Sequence, residues 1–161
     1  MTNRRTLLAG IAGLTATVAA AVAGRARAAE TFRITHTDAE WRAQLSHPQY
    51  LILRRQATEK PDASPLAHET GSGKYACAGC GQVAFSSDTK YASHTGWPSF
   101  WAPVEGAVAQ ATDTTYFTKR TEIHCTACGG HLGHVFKDGP KPTGLRYCMN
   151  GLVLNFIPGT A

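Results

Sequence analysis

Several features that mark common protein classes are absent from this sequence. No glycine-rich phosphate loop follows a candidate strand, so a nucleotide cofactor is not indicated. After residue 28 there are no internal repeats and no low-complexity tracts. The alternation of strands and helices that builds βαβ units is also missing. The sequence therefore predicts one ordinary globular domain that binds no nucleotide.

Acidic residues are missing from the first 28 positions, which hold four of the sixteen Lys and Arg residues. Arg4 and Arg5 precede an uncharged, Ala-rich run, and Ala26-Arg27-Ala28 is an A-x-A cleavage signal. The paired arginines and modest hydrophobicity resemble a twin-arginine export signal, which serves proteins that are already folded. We expect an export signal at 1–28 and a mature domain at 29–161. An ordinary secretory signal or an uncleaved anchor is the alternative.

The net positive charge comes mostly from this N-terminal segment. The full chain carries sixteen basic against eleven acidic residues, whereas residues 29–161 retain twelve basic against eleven acidic. A mature domain this close to neutral gives no basis for binding nucleic acid. Because the Ala-rich run includes Gly10 and Gly13, it is a poor permanent anchor. We expect no stable membrane insertion after cleavage, a periplasmic or otherwise exported location, and a monomer.

The first part of the mature chain predicts short local elements. Thr37 is placed to N-cap a short helix through Leu45, with Glu40 completing a capping box. The apolar run Tyr50-Leu51-Ile52-Leu53 predicts a short strand. Residues 57–73 are rich in turn formers and predict an ordered loop on the surface.

The rest of the chain predicts a mainly β fold. From Lys74 onward, short aromatic or β-branched runs alternate with Gly, Pro, Asn and Asp. We expect two small antiparallel sheets or a barrel-like core, preceded by short N-terminal helices. The predicted strands include Val83–Phe85, Thr114–Phe117, Glu122–His124, His134–Phe136 and one strand over 145–157.

Four of the five cysteines form two matched pairs. Cys77 and Cys80 stand in one C-x-x-C-G turn, and Cys125 and Cys128 in another, 48 residues further along. Two such turns deliver four thiolates at tetrahedral angles, as structural zinc requires. A closed four-thiolate site has no open position for chemistry, so this metal would support the fold. Two disulfides are one alternative, and a redox C-x-x-C pair is the other.

Cys148 is the cysteine left over. On an extended strand, side chains alternate, so Arg146, Cys148 and Asn150 share one face. The guanidinium charge favours the thiolate, which is the nucleophilic form of cysteine. A buried structural cysteine is the alternative, but the pairing of the other four favours Cys148 as a nucleophile.

Two histidines follow the second cysteine pair. His131 and His134 continue the three-residue spacing of Cys125 and Cys128, so they are alternative metal ligands. Because four cysteines already fill a zinc shell, we expect the histidines to serve in proton transfer, for which imidazole is suited.

In their joint order, these motifs closely resemble the B-type methionine sulfoxide reductases, from about Trp41 to Phe156. Further landmarks are Thr58-Glu59-Lys60-Pro61, Gly96-Trp97-Pro98-Ser99-Phe100, Arg120-Thr121-Glu122, His131-Leu132-Gly133-His134-Val135-Phe136, Asp138-Gly139-Pro140 and Gly144-Leu145-Arg146-Tyr147-Cys148-Met149-Asn150. No single motif is decisive alone, but the joint order is highly specific.

The resemblance implies reduction of methionine-R-sulfoxide, protein-bound or free, through a sulfenic acid on Cys148. It implies protonation of the sulfoxide oxygen by His131 or His134, and an apolar wall for the S-methyl group at Trp97. Phe136 is a second candidate wall or ordinary core, and Asn150 a candidate for orienting water or substrate. A thiol peroxidase with a single cysteine and a non-enzymatic zinc-ribbon binding module are the competing hypotheses.

The sequence departs from the family pattern at two positions. Many members carry a second, resolving cysteine just before the Gly-Trp-Pro-Ser-Phe motif, where this chain has Thr95. We therefore expect an external thiol, thioredoxin-like or small, to recycle Cys148. Gly151 stands where serine is usual, which predicts a looser strand just after the nucleophile.

Overall fold

The computed structural model describes residues 31–115 and 118–159. Helix α1 spans Asp38–Gln44 and begins as predicted. The Thr37 side chain accepts from the Glu40 N–H, and the Glu40 carboxylate accepts from the Thr37 N–H at 2.7 Å. No helix within the described ranges has the length and apolar composition needed to cross a bilayer. The predicted export signal lies outside the described residues.

A second helix, α2, spans His47–Arg55, so the predicted strand at Tyr50–Leu53 is wrong. The Ser46 side chain caps this helix by accepting from the Gln49 N–H, and Gln49 closes a second capping box. Pro48 stands in the first turn, where its missing N–H costs nothing. Tyr50, Ile52 and Leu53 of the apolar run are buried on the inner side of the helix, whereas Leu51 is exposed.

The strands form two antiparallel sheets, which confirms the predicted mainly β fold. They are β1 Gly73–Cys77, β2 Val83–Ser86, β3 Lys90–Tyr91, β4 Ser99–Phe100, β5 Val108–Asp113, β6 Arg120–Cys125, β7 His131–Phe136, β8 Arg146–Met149 and β9 Leu154–Pro158. The three-stranded sheet has the order β2-β1-β9. The six-stranded sheet has the order β3-β4-β8-β7-β6-β5.

The predicted strand over 145–157 is not continuous. β8 ends at Met149, and a 3₁₀ turn at Gly151–Val153 carries the chain into β9 of the other sheet. Asn150 therefore lies at the N-cap of this turn rather than on the strand with Cys148. The break lets one segment supply an inner strand to the large sheet and an outer strand to the small one.

The strand predicted at 114–117 is also placed differently. β5 ends at Asp113, so Thr114 and Thr115 follow the strand, while Tyr116 and Phe117 lie outside the described residues. The predictions at 83–85, 122–124 and 134–136 are confirmed, because these residues fall within β2, β6 and β7.

An aromatic core joins the two sheets. Tyr75 of β1 and Phe85 of β2 both contact Phe100 of β4, with ring centroids 5.0 and 4.4 Å apart. All three side chains are fully buried. Such rings each remove a large apolar area from water, so their packing stabilises the contact between the sheets.

The loop predicted at 57–73 ends where β1 begins at Gly73, and it reaches into the interior as well as over the surface. Glu59 is buried, and its carboxylate accepts the N–H groups of Gly151 and Leu152 at 2.6 and 2.8 Å. The Glu59 N–H in turn donates to Oδ1 of Asn150 at 3.0 Å. Burial raises the pKa of Glu59, although the two N–H donors oppose this. The loop thus fixes the turn that follows the strand bearing Cys148.

Candidate active site and metal centre

The sulfur atoms of Cys77, Cys80, Cys125 and Cys128 lie within 4.8 Å of one another. Each pair sits in a tight turn, closed by the N–H of the next glycine donating to the carbonyl of the first cysteine at 2.8 Å. Gly81 and Gly129 have φ values of 76° and 68°, a conformation that glycine adopts without strain. The local C-x-x-C-G pattern therefore builds the cluster that the sequence predicted.

This donor set fits zinc. Tetrahedral Zn–S bonds of about 2.3 Å place the sulfurs about 3.8 Å apart. The Cys77–Cys128 and Cys80–Cys125 sulfur distances are 3.8 and 3.5 Å. Both distances exceed the S–S bond of about 2.05 Å, and all four cysteines are free, so the geometry does not favour a disulfide. Because Cys77 ends β1 and Cys125 ends β6, zinc would link the two sheets.

Cys148 lies in the middle of the six-stranded sheet. It is directly opposite Ser99 of β4 on one side and His134 of β7 on the other. The backbone at Gly133 approaches closely here: a Cβ at that position would lie 2.2 Å from the carbonyl oxygen of Cys148. Glycine is therefore required in β7 for the nucleophile strand to pair with it.

Cys148 lines a cavity of about 310 Å³. The cavity brings together most of the predicted site residues, from strands that are far apart in sequence. Its lining consists of Thr58, Thr95, Trp97, Arg120, Gly133, His134, Phe136, Arg146, Cys148 and Asn150. A volume of this order accommodates a thioether side chain and part of its backbone.

Arg146 is held in a fixed position beside Cys148. Its Nε and Nη2 atoms donate to the two carboxylate oxygens of Asp138 at 3.0 and 2.8 Å. Its guanidinium also lies 4.5 Å from the centre of the Phe136 ring, on the strand opposite. Phe136 therefore forms a wall of the cavity and a platform for the cation at the same time.

The pKa of Cys148 reflects two opposed effects. Burial raises the pKa of the thiol, and this outweighs the charge of Arg146 and the hydrogen bonds from Thr95 and Arg146, which lower it. The sequence correctly predicted the direction of the Arg146 effect but not that burial is larger. In the free protein, the thiol form is accordingly favoured more than for an exposed cysteine.

His134 lines the cavity and is oriented by a carboxylate. Its Nε2 lies 2.8 Å from Oδ2 of Asp113, which also accepts from Nη2 of Arg120 at 2.7 Å. Burial raises the Asp113 pKa, but hydrogen bonds led by those from Thr115 bring it well below its ordinary value, so Asp113 is ionised. Nε2 is therefore the donor, and Nδ1 is the nitrogen left for other proton transfer.

His131 lies deeper than His134 and is not among the described residues that line the cavity. Its ring centroid is 5.2 Å from that of His134, and the residue is 2% exposed. Nδ1 lies 2.8 Å from a carboxylate oxygen of Glu122, whereas the buried Nε2 has no hydrogen-bond partner among the described residues. Both histidines are thus paired with carboxylates, but only His134 faces the space beside Cys148.

The Asn150 amide is engaged at both ends. It donates to the Leu132 carbonyl at 3.1 Å and accepts from the Glu59 N–H at 3.0 Å. Asn150 also lines the cavity, and its second amide N–H is not used by these two hydrogen bonds.

Trp97 occupies a loop whose path depends on Gly96. Gly96 has φ of 86°, and a Cβ there would lie 2.7 Å from Cβ of Pro61. The following residues enter β4, where the Pro98 carbonyl accepts from the Met149 N–H at 3.0 Å. The indole is thereby held beside the nucleophile strand as one wall of the cavity.

Sequence reasoning missed the carboxylates that orient the site. Asp113, Glu122 and Asp138 hold His134, His131 and Arg146, respectively. Glu122 and Asp138 fell within landmarks of the resemblance, which was the only signal available for them. Asp113 is 21 residues from His134 and is brought to it by strand pairing.

The motifs that converge on this cavity belong to a recognised family. A model of the SelR domain matches residues 45–158, which include both cysteine turns and the whole cavity lining. The chain belongs to the SelR domain family. Membership of this family confirms the predicted resemblance to the B-type methionine sulfoxide reductases.

Curated relatives match about three quarters of this chain. A peptide methionine sulfoxide reductase MsrB of Agrobacterium fabrum is 51% identical over 127 residues, covering 78% of this chain and 94% of the relative. The MsrB of Leptospira interrogans is 50% identical, with 78% and 96% coverage. The MsrB of Thiobacillus denitrificans is 52% identical, with 76% and 93% coverage.

Proposed function

We propose that this protein is a peptide-methionine (R)-S-oxide reductase, which reduces methionine-R-sulfoxide to methionine. The observation that carries this function is the cavity in which Cys148 meets an aromatic wall and a carboxylate-held histidine. The relatives that cover this domain bear the corresponding name. The substrate is methionine sulfoxide in oxidised proteins, as the free amino acid, or both.

The first step is attack by the Cys148 thiolate on the sulfoxide sulfur. A bond forms between the two sulfur atoms; the protonated oxygen then passes from the methionine sulfur to the Cys148 sulfur as that S–S bond breaks. Methionine leaves as the thioether, and Cys148 becomes a sulfenic acid. The sulfoxide sulfur is reduced by two electrons and the cysteine sulfur is oxidised by two. Arg146 aids the step because its charge favours the thiolate against the opposing effect of burial.

Cleavage of the S–O bond requires a proton on the oxygen. His134 is placed to supply it from Nδ1, because Nε2 is held by Asp113 and that carboxylate stabilises the imidazolium. His131 supports the ring of His134 from behind, and Asn150 offers one amide N–H to the bound group. The S-methyl group rests against Trp97 and Phe136, which distinguishes the two epimers at sulfur.

Recycling requires an external thiol. That thiol attacks the sulfenic acid to give a mixed disulfide and water, and a second thiol then releases Cys148. A thioredoxin-like protein or a small thiol fits this role, because Thr95 stands where a resolving cysteine would be.

The zinc held by the four cysteines supplies structural stability, as a closed tetrahedral site does. For residues 1–28 we propose a twin-arginine export signal, with the mature domain acting as a monomer in the periplasm or another exported location. The paired arginines and the absence of acidic residues in that segment support this proposal.

The test is an assay of the mature protein with each epimer of methionine sulfoxide and dithiothreitol. We expect turnover of the R epimer and none of the S epimer, and Cys148→Ser should lose all activity while keeping its zinc. Comparable turnover of both epimers, or an active Cys148→Ser variant, would overturn the assignment. Hydrogen peroxide in the same assay tests the peroxidase hypothesis, and inactivity in all arms would favour a zinc-ribbon binding module.

A further inference from the structure

A chain of three hydroxyl groups lies behind the nucleophile. Oγ1 of Thr95 is 2.9 Å from Oγ of Ser93, which is 2.7 Å from Oγ of Ser99. Ser99 is 1% exposed and can donate to the Trp97 carbonyl at 3.2 Å. The first hydroxyl of the chain lies beside the nucleophile, because Thr95 and Cys148 line the same cavity.

The position of this chain follows from the sheet. Ser99 is the direct cross-strand neighbour of Cys148 in the β4–β8 ladder. Thr95 lines the same cavity as Cys148, on the loop that leads through Gly96 and Trp97 into β4. The chain of hydroxyl groups therefore runs from Thr95, beside the nucleophile, through Ser93 to Ser99, which is the cross-strand neighbour of Cys148.

Each hydroxyl has one proton, so the donor-to-acceptor direction of the hydrogen bonds along the chain can take only two forms. With a thiolate, Ser99 donates to Ser93, Ser93 to Thr95, and Thr95 to the sulfur. With a thiol, Cys148 donates to Thr95, and the order reverses until Ser99 donates to the Trp97 carbonyl. Both arrangements use the same distances, so neither requires the backbone to move.

We propose that Thr95 is a catalytic residue that donates a hydrogen bond to the Cys148 thiolate, and that Ser93 and Ser99 are positioning residues that align and polarise its hydroxyl. Hydrogen bonds in such a chain strengthen one another, since each donor is itself an acceptor. The position that would hold a resolving cysteine therefore serves thiolate formation in this chain. The proposal rests on the proposed function, but its test does not require turnover.

The thiolate also feels other charged and titratable groups around the cavity. They are Arg146 on the same strand, Asp138 beyond it, His134 on β7, Arg120 on β6 and Tyr91 on β3. A test must leave all of them unchanged, so the variants replace hydroxyl groups only.

The experiment measures alkylation of Cys148 by iodoacetamide against pH in the zinc-loaded protein, by intact mass, with Cys148→Ser as the baseline. Thr95→Val should raise the midpoint by about one pH unit, which is roughly tenfold less thiolate near neutrality. Thr95→Ser should restore the wild-type midpoint. Ser93→Ala should give a smaller upward shift, of about a few tenths of a unit, because it removes only a supporting bond.

Thr58→Val removes a different hydroxyl from the same cavity and should leave the midpoint unchanged. Overlapping curves for wild type and Thr95→Val would overturn the proposal. Equal shifts in Thr95→Val and Thr95→Ser would also overturn it, because packing rather than the hydroxyl would then be responsible. A shift in Thr95→Val with none in Ser93→Ala would contradict the chain. If the wild-type protein did not reduce methionine-R-sulfoxide, the proposed function would be contradicted instead. The alkylation titration does not depend on that activity.

Discussion

Nε2 of His134 lies 2.8 Å from Oδ2 of Asp113. His134 is on β7, which pairs with the strand that carries Cys148, and Asp113 is on the edge strand β5. Burial lowers the pKa of His134, while Asp113 opposes this by stabilising the imidazolium. The pair therefore sets how much of the proton donor, the His134 imidazolium, is present near neutral pH.

Asp113→Asn should shift the decline of activity with rising pH to lower pH. The substitution keeps the shape but removes a charge that raises the His134 pKa, so that pKa falls further below its ordinary value. A shift of about one pH unit, or roughly tenfold lower activity on that limb, is expected in kcat/KM. Asp88→Asn, an exposed carboxylate on another element, is the matched control. An unchanged profile in Asp113→Asn would exclude His134 as the acid.

Arg146→Ala should raise the pKa of Cys148 beyond the increase caused by burial. The rise of iodoacetamide alkylation with pH should then move upward by about one unit, because the nearby positive charge is lost. Arg146→Lys keeps the charge but not the paired contacts with Asp138. Its alkylation midpoint should therefore lie between those of the wild type and Arg146→Ala. Identical curves for all three would assign Arg146 to substrate binding or to the fold.

Metal analysis of the purified protein should give one zinc per chain. Cys128→Ser should release it and abolish cooperative thermal unfolding, since zinc binding and folding are coupled in four-cysteine sites. Cys148→Ser is the internal comparison, because it also removes one thiol but should keep the metal and the unfolding transition. Active protein without zinc would contradict the assignment.

Gly151→Ala should destabilise the fold by about 1–3 kcal/mol through overpacking. A Cβ at this buried position would lie 2.5 Å from both Cβ and Oγ of Ser64. The structure thus gives a reason for glycine here: Ser64 already occupies the space. Ser64→Gly should relieve the clash, so a double-mutant cycle in urea should show a favourable coupling. An additive result would mean that the two side chains do not compete.

Thr95→Cys should create an internal route of recycling. Thr95 lines the same cavity as Cys148, so a thiol in its place should be able to attack the sulfenic acid. Excess substrate without reductant should give about one methionine per wild-type chain and a dimedone adduct, but a disulfide in the variant. A native disulfide from Cys148 to a zinc cysteine after one turnover would contradict the proposed recycling.

Local patterns predicted the parts of the structure that depend on neighbouring residues. The two cysteine turns and the shared face of Arg146 and Cys148 follow from spacing alone. Helix α2 was predicted wrongly because its four apolar residues dominated the interpretation. The Ser46 and Gln49 capping box was present in the sequence and would have identified it.

Long-range relations could not be predicted in this way. The strand break after Met149 depends on Glu59, which is 91 residues from Asn150 and accepts the N–H groups of the turn. The partner of His134 depends on the register of β5, β6 and β7, which includes an irregularity between Ile123 and His124. No property of a single segment specifies such a register.

The split of one segment between β8 and β9 also bears on the order of folding. β8 is inserted between β4 and β7, and β9 pairs with β1, so residues 146–158 complete both sheets. During synthesis, β1 and β6, with their zinc ligands, leave the ribosome before these residues and have no complete sheet to join. We therefore expect cooperative folding to follow translation through Pro158, at the rate set by these non-local pairings.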